Sequence, residues 1–187
     1  MARESAARVA RRLAATPAVR PRARREAAGV STRLHMIELT RGSPGDIAAV
    51  EQVMADAFDA RFGEAWTRAQ CLGILGMPGV WLTLAKIDGE IAGFALTRAI
   101  VDEAELLLIA TSPRFRRKGV GAALLRSVIA DARARGAVRL HLEVRAGNPA
   151  THLYSSHGFA KVGERRAYYR GRGGDSFDAH SYAVALT

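Results

Sequence analysis

A basic loop followed by two glycines is the part of this sequence best suited to bind an anion. Arg116-Arg117-Lys118 leads directly into Gly119-Val120-Gly121, which opens a helical segment. The first amides of a helix carry partial positive charge and lack partners within the helix, and glycine lets a ligand approach the backbone closely. Together with the side-chain charges, this pattern predicts a site for a phosphate or pyrophosphate group.

Two common phosphate-binding motifs do not fit this loop. A Walker A loop has its lysine after the second glycine, whereas Lys118 precedes Gly119. A dinucleotide fingerprint needs a third glycine three residues after Gly121, where Leu124 stands. An Arg-x-x-Gly-x-Gly pattern remains. On its own, this pattern is as typical of a basic loop that caps a surface helix as it is of a phosphate-binding loop.

The elements on either side of the loop would hold it between a strand and a helix. An apolar run at 106–110 precedes it, and an amphipathic helix follows it until Gly136. The next strand, 138–144, alternates strictly and so has one core face and one polar face. The predicted core face holds Val138, Leu140, Leu142 and Val144, and the polar face holds Arg139, His141, Glu143 and Arg145.

Local signals predict the other elements. A first strand is expected over 36–39, and the capping boxes Ser43-x-x-Asp46 and Thr67-x-x-Gln70 begin two helices, the first ending near Asp59. Asp88-Gly89 predicts a tight hairpin. The remaining expected features are hairpin strands at 80–87 and 90–101 with a bulge at Gly93, a short helix from Asn148-Pro149, and final strands at 159–170 and 177–186.

The positive charge is concentrated at the N-terminus. Residues 1–35 contain nine arginines against two glutamates and so hold +7 of the net +10 carried by the 187 residues. With few large apolar residues to bury, this segment is predicted to be a disordered basic extension of a single domain at 36–187. It is interpreted as a dispensable extension with Met36 as the functional start, as an organelle presequence, or as an RNA-binding arm.

The single cysteine and the hydropathy pattern bear on the compartment. Cys71 excludes an internal disulfide and is predicted to be a small buried hydrophobe rather than a nucleophile. No apolar run reaches the length of a membrane span, and the N-terminus lacks the apolar core of a secretory signal. A cytoplasmic protein without a membrane partner is therefore expected.

The order of hairpin, strand, loop, helix, strand and short helix resembles the GNAT superfamily of N-acetyltransferases. Within it, the sequence is similar to the RimI-like branch, which acetylates the N-terminal amine of a ribosomal protein. The resemblance covers about residues 36–187. The motifs that carry it are Val101-Asp102-Glu103-Ala104-Glu105-Leu106, the Arg-x-x-Gly-x-Gly loop, Leu142-Glu143-Val144-Arg145, Leu153-Tyr154-x-x-x-Gly158-Phe159 and Arg166-Ala167-Tyr168-Tyr169.

This resemblance implies a fold and a co-substrate. The expected fold is α/β (α+β), with a mixed, mostly antiparallel sheet that is splayed between its central strands and flanked by helices on both faces. Acetyl-CoA would be the co-substrate, with no metal. Pantetheine would follow Ile109, Ala110 and Thr111 and touch Asn148. The pyrophosphate loop would comprise Arg116, Arg117, Lys118, Gly119, Val120, Gly121 and Ala122.

The resemblance also implies the reaction. Glu143 would be the general base and Tyr154 the acid that protonates the departing thiolate, with direct attack by a protein α-amine in a ternary complex. A small-molecule amine or a lysine side chain is an alternative acceptor. A non-catalytic CoA-fold module with an RNA-binding arm is an alternative of another class.

The sequence departs from the branch pattern in three places, one of which is the final strand, where Asp178-Ala179-His180-Ser181 matches only in part. The spacing from Asn148 to Tyr154 is one residue shorter than usual, which rotates the start of the helix by about 100° relative to Tyr154. Ala65 stands before Trp66 where the branch usually has proline.

Overall fold

The computed structural model describes residues 36–171 and 173–186. The predicted extension at 1–35 lies outside the described residues, so its three interpretations stay predictions. None of the helices in the described part is long and apolar enough to cross a membrane.

The described chain forms one seven-stranded sheet with helices on both faces, which confirms the predicted fold class. The strand order is β1-β2-β3-β4-β5-β7-β6, and only the β4–β5 pair is parallel. The strands are β1 Glu38–Arg41, β2 Val80–Ile87, β3 Glu90–Ile100, β4 Glu103–Thr111, β5 Arg139–Arg145, β6 Ala160–Arg170 and β7 Ser176–Ala185. The helices are α1 Ile47–Ala57, α2 Arg68–Leu75, α3 Val120–Ala134 and α4 Thr151–Ser155.

The local signals act where the sequence predicts. Before α1, the Ser43 N–H and Oγ each donate to the Asp46 carboxylate at 2.8 Å. Before α2, the Thr67 N–H donates to Gln70 Oε1 at 2.8 Å, and the Gln70 N–H donates back to Thr67 Oγ1 at 3.3 Å. Beyond α3, Gly136 takes a left-handed φ of +86° and its N–H donates to the Arg133 carbonyl at 2.9 Å. This arrangement is the glycine-ended helix terminus expected from the sequence.

Two hydrophobic clusters form the core, one on each face of the sheet. The cluster with α3 contains the predicted helix face, including Val120, Leu124 and Val128. The cluster with α1 contains Cys71, which is 1% exposed. Burial raises the pKa of the Cys71 thiol, with a smaller effect from Glu51. Cys71 is therefore a packing residue, as predicted, and not an activated nucleophile.

A bulge in β4 changes which residues face α3. Leu96 pairs with Leu108 and Thr97 with Leu106, so Leu107 has no partner across β3. Because one extra residue reverses the alternation of a strand, Leu106 packs on the α3 side whereas Leu108 packs on the α1 side.

The bulge predicted at Gly93 is also present. Ala85 pairs with Gly93 and Lys86 with Ile91, which leaves Ala92 as the extra residue. A Cβ atom at Gly93 would lie 2.6 Å from the Ala110 carbonyl oxygen.

Gly93→Ala should therefore lower the free energy of unfolding by about 1–3 kcal/mol, because a backbone oxygen must move to admit the methyl group. Thermal unfolding measures this effect. The matched control is Gly73→Ala in α2, where a Cβ meets nothing within 4 Å. This substitution should raise the free energy of unfolding by at most about 1 kcal/mol through helix propensity. Equal unfolding temperatures for the two variants would contradict the expectation.

Several boundaries differ from the predictions. The first strand begins at Glu38 rather than Met36, and α1 ends at Ala57 because Phe58 is extended, with φ −97° and ψ 130°. Val138 precedes β5 and is 56% exposed, so its predicted place in the core is wrong. The short helix begins at Thr151, after a turn over Asn148-Pro149.

The central strands separate part of the way along their length, as predicted. The β4–β5 ladder runs from Glu103 and Arg139 to Leu106 and Leu142. Beyond that point β5 continues to pair with β7, while the β4 segment 107–111 has left the ladder with β5. The sheet therefore opens at the C-terminal ends of its two parallel strands.

Candidate active site at the opening of the sheet

The predicted anion loop lies at the start of α3. Arg117 and Gly119 both have left-handed φ angles, +63° and +84°. The Ala123 N–H donates to the Gly119 carbonyl at 2.9 Å, so the amides of 120–122 precede the first hydrogen-bonded turn. They can therefore donate to an anion.

The basic residues of the loop have different surroundings. Phe115 is 8% exposed and anchors the loop, with Lys118 Nζ 5.2 Å from its ring centroid. The Arg116 guanidinium donates to the Ala57 carbonyl at the end of α1 at 3.3 Å. Arg117 and Lys118 are exposed. Arg116 therefore ties the loop to α1, and its contact with a pyrophosphate stays a prediction.

Three elements meet where a CoA thioester is expected. A Cβ at Gly121 would lie 3.2 Å from Leu153 Cδ2 and 3.7 Å from Thr111 Oγ1. The start of α3, the open end of β4 and the helix that carries Tyr154 are thus brought together. The predicted residues Ile109, Ala110 and Thr111 lie on the β4 segment that has left the ladder with β5.

Glu143 lies just beyond the last β4–β5 pair, on the β5 face opposite α3. Its side chain is 18% exposed. Ser181 Oγ, from β7, donates to Glu143 Oε1 at 2.8 Å and lies 3.0 Å from Oε2. Arg165 Nη1 lies 3.8 Å from the same carboxylate but is 58% exposed, so solvent screens its charge. The carboxylate is oriented at the opening of the sheet.

Tyr154 lies on the other face, within the cluster that packs under α3. It is 5% exposed, and its ring centroid lies 6.0 Å from that of Phe159 and 6.4 Å from that of Tyr182. Burial raises the pKa of the Tyr154 phenol, and the charge of Glu64 adds to this effect. The phenol therefore holds its proton throughout the neutral range.

A second tyrosine supports β5 at the same point. The Tyr169 hydroxyl donates to the backbone carbonyl of Glu143 at 3.3 Å. Burial raises the pKa of Tyr169, and the Glu64 carboxylate is the next largest cause. Tyr169 belongs to a motif quoted above, but the sequence assigned it no role.

An open cavity of about 410 Å³ lies on the Glu143 face, nearer the start of β5. A row of side chains from neighbouring strands, Arg98, Glu105 and His141, lines it. Arg98 and Glu105 are paired at 2.6 Å. As predicted, His141 shares a face with Glu143, and the structure places it in this cavity.

Asn148 lies near the site with its side chain already engaged. Its Nδ2 donates to Glu64 Oε1 at 3.0 Å, and its Oδ1 accepts from the Ala150 N–H at 2.9 Å. Its predicted contact with pantetheine stays a prediction.

Sequence reasoning missed the residues that reach the site from distant segments. Ser181 shows only the polar alternation of a last strand, and its place beside Glu143 depends on β7 pairing with β5. Glu64 lies in a loop with few signals, where the departure at Ala65 is the one indication.

Comparison with known proteins defines the class. A model described as the acetyltransferase (GNAT) family matches residues 47–159. The chain therefore belongs to the GNAT family, which confirms the resemblance inferred from the sequence.

The relatives lie in the predicted branch. The chain is similar to the [ribosomal protein bS18]-alanine N-acetyltransferase of Salmonella typhimurium (strain LT2), with 47% identity over 83 residues. That match covers 44% of this chain and 56% of that protein, just over half of its length. A putative enzyme of the same name from Bacillus subtilis (strain 168) is 32% identical over 133 residues, covering 70% of this chain and 85% of that protein.

A solved structure supports the fold. The crystal structure of the ribosomal-protein-S18-alanine N-acetyltransferase from Escherichia coli superposes with a TM-score of 0.71 and 31% identity. It covers 81% of this chain and 95% of that chain.

Proposed function

We propose that this protein is an acetyl-CoA-dependent N-acetyltransferase that acetylates the N-terminal α-amine of a protein, of the ribosomal-protein-alanine type. The observation that carries the proposal is the opening between β4 and β5, with Glu143 on one face, Tyr154 on the other and the predicted anion loop beside Thr111 and Leu153. The names of the relatives favour a protein N-terminus as the acceptor.

The chain offers groups suited to a long anionic thioester. Acetyl-CoA, when bound, would supply the acetyl group as a thioester. The β4 segment 109–111 would present backbone donors and acceptors along its open edge. The amides of 120–122, with Arg117 and Lys118, would balance the pyrophosphate charge.

Glu143 would receive the proton that the acceptor loses. Only a neutral amine has the lone pair needed for attack on a carbonyl carbon. An α-amine has a pKa of about 8 and lysine about 10.4, so at neutral pH deprotonating the α-amine costs roughly 3 kcal/mol less. A modest base such as an oriented carboxylate is sufficient for this acceptor.

Tyr154 would hold a proton for the leaving sulfur. As the N–C bond forms and the C–S bond breaks, the thiolate takes the phenol proton, and solvent later returns a proton to the tyrosine. The buried Cys71, with its raised pKa, gives no support for an acyl-enzyme. Direct transfer within a ternary complex is the simplest route.

The cavity on the Glu143 face favours a polypeptide acceptor. Its wall residue His141 is two positions from Glu143 on the same strand face, which corresponds to roughly 7 Å. An amine held at Glu143 could therefore leave its attached chain in open space rather than in a closed pocket.

A matched peptide pair tests the function. An Ala-initiated peptide should be acetylated at its α-amine, and the same peptide with a blocked N-terminus and one lysine should react at least about 10²-fold more slowly, since its amine is harder to deprotonate. Mass spectrometry locates the acetyl group. Preferred reaction at lysine or a small amine would favour the alternative acceptors. Binding of acetyl-CoA without any turnover would favour the non-catalytic alternative.

A further inference from the structure

The loop between α1 and α2 contains a carboxylate that the proposed reaction does not use. The Glu64 side chain is 9% exposed. A glutamate is seldom so buried unless it is paired, because loss of hydration penalises the charged form. Its partners therefore indicate what it does.

Two side chains, one at the end of β5 and one just after it, contact the same oxygen of Glu64. Asn148 Nδ2 donates to Oε1 at 3.0 Å, and Arg145 Nε lies 3.4 Å from it. The Arg145 side chain is itself 13% exposed, and its guanidinium carbon lies 3.6 Å from the centroid of the Phe62 ring. The loop between α1 and α2 is thus fastened to the end of the strand that bears Glu143.

Asn148 extends this connection to the helix that carries Tyr154. While its Nδ2 serves Glu64, its Oδ1 accepts from the N–H of Ala150, the residue before α4. The Ala150 carbonyl in turn accepts from the N–H of Tyr154 at 3.2 Å. The amide of Asn148 therefore has one end on the loop and the other on the first turn of α4.

The backbone leaves this loop little freedom to relax. A Cβ atom at Gly63 would clash with the Arg170 carbonyl oxygen, so the main chains of the loop and of the end of β6 are in close contact. Phe62 also packs edge-to-face on Phe177 with the ring centroids 5.1 Å apart. These contacts restrain the loop and hold Glu64 next to Asn148.

We propose that Glu64 is a positioning residue that holds the N-terminal turn of α4, and with it the Tyr154 hydroxyl, through the side chain of Asn148. Two of the departures from the branch, Ala65 before Trp66 and the shortened spacing from Asn148 to Tyr154, lie on the two sides of this contact. The proposal rests on the proposed function for the role of Tyr154. It gives the Asn148 amide an internal role in place of contact with pantetheine.

Exchanging the donor and the acceptor of the Asn148–Glu64 hydrogen bond tests whether this contact positions α4. Asn148→Asp keeps an oxygen for the Ala150 N–H but sets two carboxylates against each other. It should lower kcat about tenfold, as expected for coupled contacts, and speed hydrogen exchange at the amides of 151–154 in the free enzyme. Adding Glu64→Gln restores a donor opposite an acceptor, so the double variant should recover kcat to within about threefold and regain slow exchange.

Controls separate this role from general stability. Glu51→Gln changes a carboxylate on α1 that is 50% exposed and should alter neither quantity. The KM for acetyl-CoA should stay within about twofold in all variants, because the hydrogen bonds of Glu64 and Asn148 involve no residue of the anion loop. A double variant no better than Asn148→Asp, or unchanged exchange at 151–154 in Asn148→Asp, would overturn the proposal. If the unaltered enzyme acetylates no acceptor, the proposed function fails, and the exchange data alone decide whether the link exists.

Discussion

Replacing Glu143 with Gln should lower kcat for an Ala-initiated peptide by about 10²–10³-fold, the usual contribution of a general base. The substitution keeps the shape of the side chain and an oxygen that can accept the Ser181 hydrogen bond, observed at 2.8 Å. It removes the group that accepts a proton. The KM for acetyl-CoA should change little, because the anion loop is left intact. Steady-state kinetics with both substrates measures the two quantities.

The dependence of turnover on pH gives a second test of Glu143 as the general base. Below the α-amine pKa of about 8, the fraction of acceptor that is already neutral rises about tenfold per pH unit, so the Glu143→Gln variant should recover part of its deficit between pH 6 and about pH 8. Glu51→Gln is the control, because this carboxylate lies on α1, is 50% exposed and contacts Arg68 only at 4.0 Å. Equal losses in the two variants, or near-normal turnover in Glu143→Gln, would remove Glu143 from the proposed role.

The features that the sequence predicts well are those that depend on neighbouring residues. The capping pairs at Ser43 and Thr67 act within one turn of helix, and the Asp88-Gly89 hairpin follows from two adjacent left-handed residues with φ 51° and 81°. The alternation in β5 places Glu143 on the polar face for the same reason. Such signals need no knowledge of the rest of the chain.

The features that the sequence does not predict depend on strand pairing over long separations. Ser181 reaches Glu143 because β7 inserts between β5 and β6, and no local pattern determines that order. The bulge at Leu107 occurs within an uninterrupted apolar run, where no glycine or turn residue indicates it. Val138 continues the apolar alternation and yet is 56% exposed, because it precedes the first residue of β5 and lies beyond the buried part of the strand.

The site is therefore assembled by tertiary contacts around residues that local patterns can find. Glu143 and Tyr154 follow from a resemblance carried by motifs. The network of Glu64, Arg145 and Asn148 does not, because Glu64 contacts residues more than 80 positions later. Its partners become apparent only once the loop and the end of β5 are placed together.

Tyr154→Phe should lower kcat by about 10²-fold, the lower range for loss of a general acid, while acetyl-CoA binds nearly as before. The phenylalanine ring can keep the packing of a residue that is 5% exposed, against Phe159 and Tyr182. Only the proton donor is lost. Turnover and the dissociation constant for acetyl-CoA, measured separately, distinguish a chemical effect from a binding effect.

The raised pKa of Tyr154 determines how this acid would work. Burial, and then the charge of Glu64, favours the neutral phenol, so the proton is present at every pH near neutrality. The same shift makes proton loss less favourable than for a free tyrosine, and a thiol titrates near 8.5, so the transfer depends on the hydroxyl being held beside the sulfur as the C–S bond breaks. Tyr182→Phe removes a hydroxyl from a ring neighbour and should leave kcat within about twofold. If Tyr154→Phe is equally mild, the thiolate leaves without help from this residue, and the assignment of Tyr154 as the acid is wrong.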